Sequence, residues 1–421
     1  MKAFSELIDR LVLTPSRNGK LRLLRDYFAT TPDPDRGYAL AALTDGLDIP
    51  SVKPALLRTL ATERIDEVLF AYSYDYVGDL AETVSLIWPE AENADHAHDV
   101  TLATVVETLL STSRTEAPMT FAAILDRLDA PGRYAVIKLV TGGLRIGVSA
   151  GLTKQALADL GGRDVIEIEE LWHGLKVPYA DLFAWLEGKA EKPESATAAL
   201  FRPVMLANPV EDGDLGGLDI ADYRAEWKWD GIRVQVSAEN GVRRLYSRSG
   251  DEISSAFPDL MQAIDFEAVI DGELLVGSPP DHVGTFSDLQ QRLNRKTVSA
   301  KVQAQYPVFV RAYDLLMVDG EDLRAKPHDE RRLRLEQLVA RLDPNRFDLS
   351  PRISFSSWEE LDRLRMKPPH PIIEGVMIKH RDSPYLPGRR KGPWFKWKRD
   401  PYTIDAVLMY AQRGHGKRSS Y

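Results

Sequence analysis

The chain has 421 residues, which is too long for one ordinary hydrophobic core and predicts two or three domains. It contains no cysteine, which excludes disulfides and thiolate metal sites. No run of eighteen apolar residues occurs, and the first nine residues have the pattern of an amphipathic helix, so we expect a soluble, cytoplasmic protein that does not enter a membrane.

The net charge of −9 argues, as a sum, against a nucleic-acid partner, because affinity for phosphate comes from clustered lysine and arginine. The distribution argues the other way, since basic residues near the C-terminus alternate with tryptophan and phenylalanine. They are Arg389, Arg390, Lys391, Lys396, Lys398, Arg399, Arg413, Lys417 and Arg418. We expect this stretch to bind polyphosphate or DNA. His96 and His98 lie in an acidic, polar stretch that predicts a solvated loop, not a metal site.

Residues 1–188 have apolar residues at helical spacing with Pro and Gly between the segments, which predicts an all-helical domain. Within it, a predicted helix at 134–140 runs into a glycine-rich turn at 141–147 that contains Arg145. The backbone amides and the arginine of such a turn could bind a DNA phosphate, or the turn could pack helices tightly together. Residues 189–200 are polar and small, as in an interdomain linker.

Residues 201–400 change to the alternation typical of strands, which we predict at 234–236, 244–247, 268–276, 308–315 and 375–379. Helices are predicted at 286–296 and 330–342. The second domain is therefore expected to be α+β with a mainly antiparallel sheet. Residues 401–421 begin a third domain, in which 403–410 resembles the opening strand of a small β-barrel that the chain does not complete.

One stretch of the second domain has the pattern Glu226-x-Lys228-x-Asp230-Gly231-x-Arg233. In a strand, Glu226, Lys228 and Asp230 share one face, and two tryptophans share the other. Asp230 and Gly231 predict a turn or a bulge, and an extra residue there would return Arg233 to the charged face. The pattern is consistent with a catalytic face, or with a ladder of ion pairs on a solvated strand. Asp230 could orient Lys228 or fix the turn, and we favour the turn.

No Walker-type phosphate loop is present, so nucleotide chemistry would need another device. The Glu226-x-Lys228 stretch resembles the nucleophile motif of the covalent nucleotidyltransferases, which comprise DNA ligases, RNA ligases and mRNA capping enzymes. Further stretches resemble the later motifs of that superfamily in order. They are residues 247–250 (SRSG), 271–273 (DGE), 312–316 (AYDLL), 374–379 (EGVMIK), 383–390 (SPYLPGRR) and 394–398 (WFKWK).

The helical N-terminal half and the junction at residues 202–207 are similar to ATP-dependent DNA ligases in particular, so the resemblance covers nearly the whole chain. It implies an all-α DNA-binding domain, a nucleotidyltransferase domain and the start of an OB-fold. It further implies a monomer that seals 5′-phosphate/3′-hydroxyl nicks in double-stranded DNA, in replication, repair or recombination on the nucleoid. ATP and Mg²⁺ are the implied cofactors.

The resemblance also implies roles for individual residues. Lys228 would be the nucleophile that forms lysyl-AMP, and a lysine amine attacks phosphorus only when burial or neighbouring cations favour its neutral form. Glu226 would read the adenine amino group, and Tyr313, which replaces the commoner Phe, would stack on the purine. Metal would associate with Glu273 and Glu374, and Glu273 would also lie near the ribose. The residues expected to hold ribose and phosphates are Arg233, Arg248, Arg390, Lys396 and Lys398.

Two alternatives stay open at this level. The chain could be an RNA ligase or a capping-type nucleotidyltransferase, or it could be a non-catalytic module that binds nicks. The family's third domain carries a final basic motif that orients pyrophosphate, and no residues after Tyr421 supply it, so we expect this chain to be a fragment of a longer ligase.

Overall fold

The computed structural model describes residues 1–90, 100–142, 144–193, 198–280, 282–293, 295, 297–400 and 405–410. His96 and His98 therefore lie outside the described residues. The chain forms two compact units: the first contains the region Met1–Glu194, and the second is Ser195–Ile404. Within the described part of the chain, no helix combines the length and the apolar character needed to cross a membrane.

The first unit is helical, as predicted. Its helices are α1 (Lys2–Leu13), α2 (Arg17–Thr30), α3 (Asp35–Leu43), α4 (Pro54–Arg64), α5 (Glu67–Val77), α6 (Leu80–Ile87), α7 (Leu102–Ser111), α8 (Ala117–Asp126), α9 (Ala130–Val140), α10 (Ala150–Gly161), α11 (Val165–Leu171) and α12 (Ala180–Leu186). Side-chain caps begin several of them, such as Asp66 before α5 and Ser149 before α10. Apolar faces of these helices form one continuous core.

The second unit is α+β, as predicted. Its helices are α13 (Pro258–Gln262), α14 (Phe286–Gln290), α15 (Ala300–Gln305), α16 (His328–Val339) and α17 (Trp358–Met366). Its strands are β1 (Asn208–Pro209), β2 (Tyr223–Trp229), β3 (Ile232–Glu239), β4 (Val242–Ser247), β5 (Ala268–Ser278), β6 (His282–Val283), β7 (Val308–Val318), β8 (Glu321–Asp322), β9 (Phe347–Leu349), β10 (Arg352–Ile353), β11 (Ile373–His380) and β12 (Trp394–Lys398).

The strands form two sheets, and both are mainly antiparallel. One sheet has the order β1-β12-β11-β2-β10. The other contains the path β4-β3-β5-β7-β8, with β6 paired to β5 and β9 paired to β7. The long central strands β5 and β7 are almost fully buried, which agrees with their near-continuous apolar sequences. The five strands predicted between residues 234 and 379 all lie within observed ones.

Four predictions differ from the structure in their details. The helix predicted at 330–342 is α16, which spans His328–Val339. The helix predicted at 286–296 ends at Gln290, and the following turn brings the buried guanidinium of Arg292 to Asp259, with Nη1 3.0 Å from Oδ2. In the linker predicted at 189–200, Ala199 is fully buried, and its carbonyl accepts a hydrogen bond from Tyr246. Of the strand predicted at 403–410, the described residues 405–410 are exposed and lie in no strand. A lone strand has no partner for its backbone groups.

Candidate functional site

The motif that contains Lys228 connects the two sheets of the second unit. Strand β2 ends at Trp229, and β3 begins at Ile232 in the other sheet. Of the two alternatives that the sequence allowed at Asp230 and Gly231, a turn or a bulge, the structure contains the turn, which leads from one sheet to the other. Gly231 is required there, because an added Cβ would lie 2.5 Å from the carbonyl oxygen of Leu274. The turn places Glu226 and Arg233 on walls of one cavity.

This cavity has a volume of about 490 Å³ and takes its walls from both sheets. Most of the residues singled out from the sequence line it. They are Glu226, Lys228, Arg233, Arg248, Glu273, Tyr313, Glu374, Lys396 and Lys398. These residues come from six strands and one turn, and the fold brings together Glu226 and Lys398, which are 172 positions apart in the chain.

Lys228 lies at the centre of a group of opposite charges. Its Nζ atom is 2.7 Å from Oε2 of Glu374, and Nζ of Lys398 is 3.0 Å from the same oxygen. The Lys228 side chain is 24% exposed, so the amine is reachable from the cavity while most of its stem is covered. A carboxylate between two ammonium groups can hold both in position.

Asp230 belongs to the same group, in addition to its place in the turn. Burial, followed by a hydrogen bond with Glu374, raises the pKa of Asp230. Burial also acts to raise the pKa of Glu374, but Lys228 and Lys398 outweigh it, and the pKa of Glu374 is lowered. The two carboxyl groups therefore influence each other, and Asp230 binds a proton more readily than Glu374 does. The interpretation of Asp230 as a turn residue alone is incomplete.

Glu226 occupies the deep end of the cavity and is only 2% exposed. Its two carboxylate oxygens each lie 3.4 Å from Nζ of Lys379, and Oε1 is 3.6 Å from Nη1 of Arg332. A carboxylate so deeply buried excludes the alternative of an ion-pair ladder on a solvated strand. The Lys379 ammonium also lies 4.7 Å from the ring centre of Tyr313.

Glu273 on β5 faces the cavity from the opposite sheet. Burial raises the pKa of this carboxyl to about 7, although Lys228 and Arg233 act to lower it. The amide of Gly231 also donates a hydrogen bond to it. Glu273 therefore changes its charge near neutral pH, which is unusual for a carboxylic acid and typical of functional sites.

The two arginines predicted to contact ribose and phosphate differ in their freedom. Arg233 is held by the carbonyl oxygen of Met205 at 2.7 Å and by Oδ2 of Asp271 at 2.7 Å. It is also 3.1 Å from the hydroxyl of Tyr385. Arg248 follows β4 and is exposed at the cavity rim. Arg233 is thus a rigid part of the wall, whereas Arg248 can move toward a ligand.

The prediction for Arg390 is not supported by its position. Arg390 is exposed and does not line the cavity, and its neighbour Arg389 lines the cavity instead. Successive residues of an extended chain point to opposite sides, so only one of two adjacent arginines can face the site. The Arg390 carbonyl accepts a hydrogen bond from Asn208 at 2.6 Å.

One rim of the cavity is strongly basic. Burial lowers the pKa of Lys396, and the nearby cations Arg389, Lys398, Arg248 and Lys228 lower it further. Several cations within reach of one another repel, and a bound polyanion relieves that repulsion. This arrangement suits the phosphates of a nucleotide.

Two residues at or beside the cavity were not singled out from the sequence: Lys379 and Arg332. Arg389 was named there in the basic stretch, but Arg390 was chosen as the arginine that binds phosphate. Lys379 had a usable signal, because it ends the 374–379 motif and alternates with Met377 on one strand face that lines the cavity. Arg332 had none, since it lies on α16 and reaches Glu226 only through tertiary packing.

No cluster of three or more metal-ligating side chains occurs among the described residues. The carboxylates near Lys228 are Glu374, Glu273 and Asp230. Mg²⁺ is commonly bound by one or two carboxylates together with substrate phosphates, and not by a complete protein cage. The residues present fit that mode of binding.

In the helical unit, the predicted glycine-rich turn follows α9. Ile146 is buried, and Nζ of Lys20 donates hydrogen bonds to the carbonyls of Ile146 and Gly147 at 3.0 and 2.9 Å. Arg145 is exposed with a positive φ of 39°. The turn thus has a packed side and an exposed basic side, so both of its predicted roles stay compatible with the structure.

Known DNA ligases are similar to this chain in sequence. A family model described as "ATP dependent DNA ligase domain" matches residues 204–398. A protein of Koribacter versatilis named "Probable DNA ligase" is 32% identical over 323 residues, which are 70% of this chain and 55% of that relative. "DNA ligase 1" of Korarchaeum cryptofilum is 28% identical over 443 residues, which are 99% of this chain and 78% of that relative.

A solved structure described as "Pmar-Lig_PreS3" is similar to this chain with a TM-score of 0.54 and 17% sequence identity. The matched region covers 94% of this chain and 78% of the chain in that structure. At this identity the similarity concerns the fold alone. The chain spans about half the length of several of the curated relatives that it matches.

Proposed function

Since this chain belongs to the ATP-dependent DNA ligase family through residues 204–398, we propose that it seals nicks in double-stranded DNA by way of a covalent lysyl-AMP intermediate. The proposal includes ATP as nucleotide, Mg²⁺ as metal, and action as a monomer on nucleoid DNA. The observation that carries it is the position of the Lys228 amine, which lies in a nucleotide-sized cavity beside Glu374 and next to a basic rim.

The first step is nucleophilic attack by Lys228. Its neutral amine forms a bond to the α-phosphorus of ATP, the bond from that phosphorus to the bridging oxygen breaks, and pyrophosphate leaves. Glu374 holds the amine by an ion pair before the reaction, and the Asp230 side chain lies within hydrogen-bonding reach of Glu374. We propose that this coupled carboxyl pair receives the proton that Lys228 must lose.

The second and third steps transfer AMP to DNA and release it. The 5′-phosphate of the nick attacks the phosphorus of lysyl-AMP, and the lysine amine leaves. The 3′-hydroxyl then attacks the activated 5′-phosphate, a phosphodiester bond forms, and AMP leaves. Negative charge accumulates on phosphate oxygens in every step, so fixed cations contribute most of the catalysis.

The basic rim supplies those cations. Lys396, Lys398 and Arg248 line the cavity, and we add Arg389 in place of Arg390 as the arginine that contacts phosphate. Glu273 and Glu374 are the proposed metal-associated carboxylates. Mg²⁺, when bound, would neutralise phosphate charge. Glu273 must be ionised for that role, which its pKa of about 7 permits at neutral and higher pH.

The base would occupy the deep end of the cavity. Tyr313 offers a ring face for stacking, and the buried Glu226 carboxylate accepts a hydrogen bond from the amino group of adenine. Arg233, fixed by Asp271, forms the wall near the expected ribose.

Nick sealing with defined substrates tests the proposal. The chain is incubated with a duplex that carries one nick, built either in DNA or in RNA, with ATP or GTP and Mg²⁺. We expect joining of nicked DNA with ATP, and no joining by the Lys228→Ala variant. Preferential joining of nicked RNA would support an RNA ligase, and covalent GMP would support a capping-type enzyme. Tight binding of nicked DNA without any AMP adduct would support a non-catalytic nick-binding module.

A further inference from the structure

Helix α5 has apolar side chains on two opposite sides. On the inner side, Phe70 is buried in the core of the first unit, and the ring of Tyr74 stacks on it with ring centroids 6.2 Å apart. Successive residues of a helix are about 100° apart around its axis, so four further apolar residues share an arc of about 100° on the other side. They are Val68, Leu69, Tyr72 and Tyr76, and we call them the outer face of α5.

The outer face of α5 is in contact with solvent. Its four side chains are between 54% and 91% exposed, and Tyr76 is the most exposed of them. Single apolar residues on a surface are ordinary, whereas neighbouring ones that form a stripe indicate an interaction site. Tyrosine is enriched in protein–protein interfaces, because its ring contributes a large contact area and its hydroxyl tolerates water. The outer face therefore has the composition of a docking surface for another protein.

The segment that contains α5 is strongly acidic. Residues 63–99 include ten acidic residues and one arginine, so their net charge of −9 equals that of the whole chain. The arginine, Arg64, is neutralised by Asp126, which lies 2.5 Å away. Both charged residues of α5, Glu67 and Asp75, are acidic and exposed, and helical spacing places Asp75 next to Val68 at the margin of the outer face. The outer face is thus an apolar stripe in acidic surroundings.

These charges argue against three occupants of the outer face. DNA phosphates and the anionic lipids of a membrane surface are both repelled by acidic surroundings. A second copy of the chain, docked face to face, would place acidic residues against the same acidic residues, which costs free energy. A protein that carries lysine and arginine around apolar side chains complements both the charge and the apolar stripe.

We propose that the outer face of α5 docks a basic amphipathic segment of another protein. In that arrangement, apolar side chains of the partner pack on Tyr72 and Tyr76, and its lysines or arginines lie near Glu67 and Asp75. Recognition of an amphipathic helix through its apolar stripe is a common mode of peptide binding. The proposal concerns a protein partner of the chain, so it goes beyond nick sealing and does not depend on the lysyl-AMP chemistry.

A synthetic peptide tests the inference on the full chain. The probe is a fluorescein-labelled helical peptide with leucine on one face and lysine on the other, and its binding is measured by fluorescence anisotropy. One control peptide replaces the lysines by glutamate, and a second replaces the leucines by alanine. We expect the probe to bind at least roughly tenfold more tightly than either control, because each control removes one of the two complementary features. Equal affinity of the probe and either control would overturn the inference, as would a failure of the probe to bind.

Variants of the chain show where the probe binds. Tyr72→Gln and Tyr76→Gln, made singly, introduce a residue that favours a helix and remove an exposed ring, so each should weaken probe binding roughly tenfold without lowering the free energy of unfolding. Leu333→Gln is the matched control, since Leu333 is a 56% exposed apolar residue on α16 in the second unit. It should bind the probe as the wild type does. Unchanged affinity in both tyrosine variants would locate the probe elsewhere and refute the inference.

The other occupants are outcomes of the same set of experiments. Sedimentation and the affinity for a nicked DNA duplex are measured for the wild type and for Tyr76→Gln, and we expect two monomers with equal DNA affinity. A dimer that dissociates in Tyr76→Gln would assign the face to a second copy, and weaker DNA binding by that variant would assign it to DNA. Either result would overturn the inference. If the wild type formed no AMP adduct, the ligase proposal would fail, while the peptide measurements would still decide this inference.

Discussion

Nζ of Lys228 lies 2.7 Å from Oε2 of Glu374, although the two residues are 146 positions apart in the chain. The pairing follows from the register of β2 and β11, in which Lys228 is opposite Gly375. The pairing of β2 with β11 therefore places Lys228 beside Glu374, and the residues of the Lys228 motif alone do not.

Removing the charge of Glu374 should impair chemistry far more than folding. The Glu374 ion pairs are partly exposed, and such pairs contribute at most about 1 kcal/mol to stability. In Glu374→Gln, the amine of Lys228 loses its ion-pair partner and the site loses a proposed metal-associated carboxylate, so we expect AMP-adduct formation to fall roughly 100-fold. Single-turnover labelling and urea unfolding measure the two effects.

Glu330→Gln is the matched control for that variant, because Glu330 also pairs with a lysine, Lys326, at 3.5 Å but lies outside the cavity. It should leave adduct formation unchanged. A Glu374→Gln protein that forms the adduct at the wild-type rate would remove Glu374 from the proposed mechanism.

Glu273 should make both activity and stability depend on pH near neutrality. Its pKa is raised from 4.5 to about 7, chiefly by burial. The folded protein thus retains a proton that the unfolded chain loses, and this contribution to stability is present below the unfolded pKa and disappears as pH rises through about 7. Adduct formation should rise over the same range, because the proposed metal-associated role requires the carboxylate.

Glu273→Gln isolates that effect. The variant should be more stable than the wild type by roughly 1–3 kcal/mol at about pH 9 and nearly equal to it at about pH 4, and its residual activity should lack the rise near pH 7. Denaturant unfolding at both pH values and a pH–rate profile provide the measurements. If the free energies of unfolding of the two proteins differed by the same amount at both pH values, the pKa of Glu273 would not be raised in the folded protein.

Gly375 should be the glycine whose replacement most directly disorders the site. It has a φ of +153° and lies between the register positions of Lys228 and Lys398, at an irregularity of β11. A Cβ there would lie 2.2 Å from the Trp397 carbonyl oxygen. Gly375→Ala should cost roughly 2–4 kcal/mol from strain and overpacking, and it should reduce adduct formation by displacing Glu374.

Gly241→Ala is the control for Gly375→Ala, because it introduces backbone strain but no steric clash. Gly241 has a φ of +74°, and an added Cβ would meet no atom within 4 Å. Its replacement should cost about 1 kcal/mol and leave adduct formation intact. Urea unfolding of both variants separates the two contributions, and equal losses of stability would refute the proposed clash at Gly375.

Helices and strands could be predicted where the pattern of apolar residues along the chain is enough to determine them. The apolar sequence of 268–276 predicted β5, and the spacing of apolar residues predicted a helical first unit. The end of α14 was not predictable, because Arg292 turns into the core to meet Asp259, and a local pattern contains no information about that partner. The burial of Ala199 was not predictable either, because the polar and small residues around it are typical of an exposed linker.

Site residues could be predicted where the motif resemblance named residues on a strand, because the alternation of side chains along a strand determines which of them share a face. Lys228 and Glu226 are two positions apart on β2, and both reach the cavity. The resemblance selected Arg390 over Arg389, but the side that each faces depends on the path of an irregular segment. The partners of Glu226, which are Lys379 and Arg332, come from other elements and required the tertiary structure.

Mass spectrometry can identify the lysine that becomes linked to AMP. The protein is incubated with ATP and Mg²⁺, digested under conditions that preserve the phosphorus–nitrogen bond, and mapped by peptide mass spectrometry. We predict one AMP adduct, on Lys228, that is absent from the Lys228→Ala variant. An adduct located on another lysine, or labelling of Lys228→Ala to the wild-type level, would contradict the proposed nucleophile.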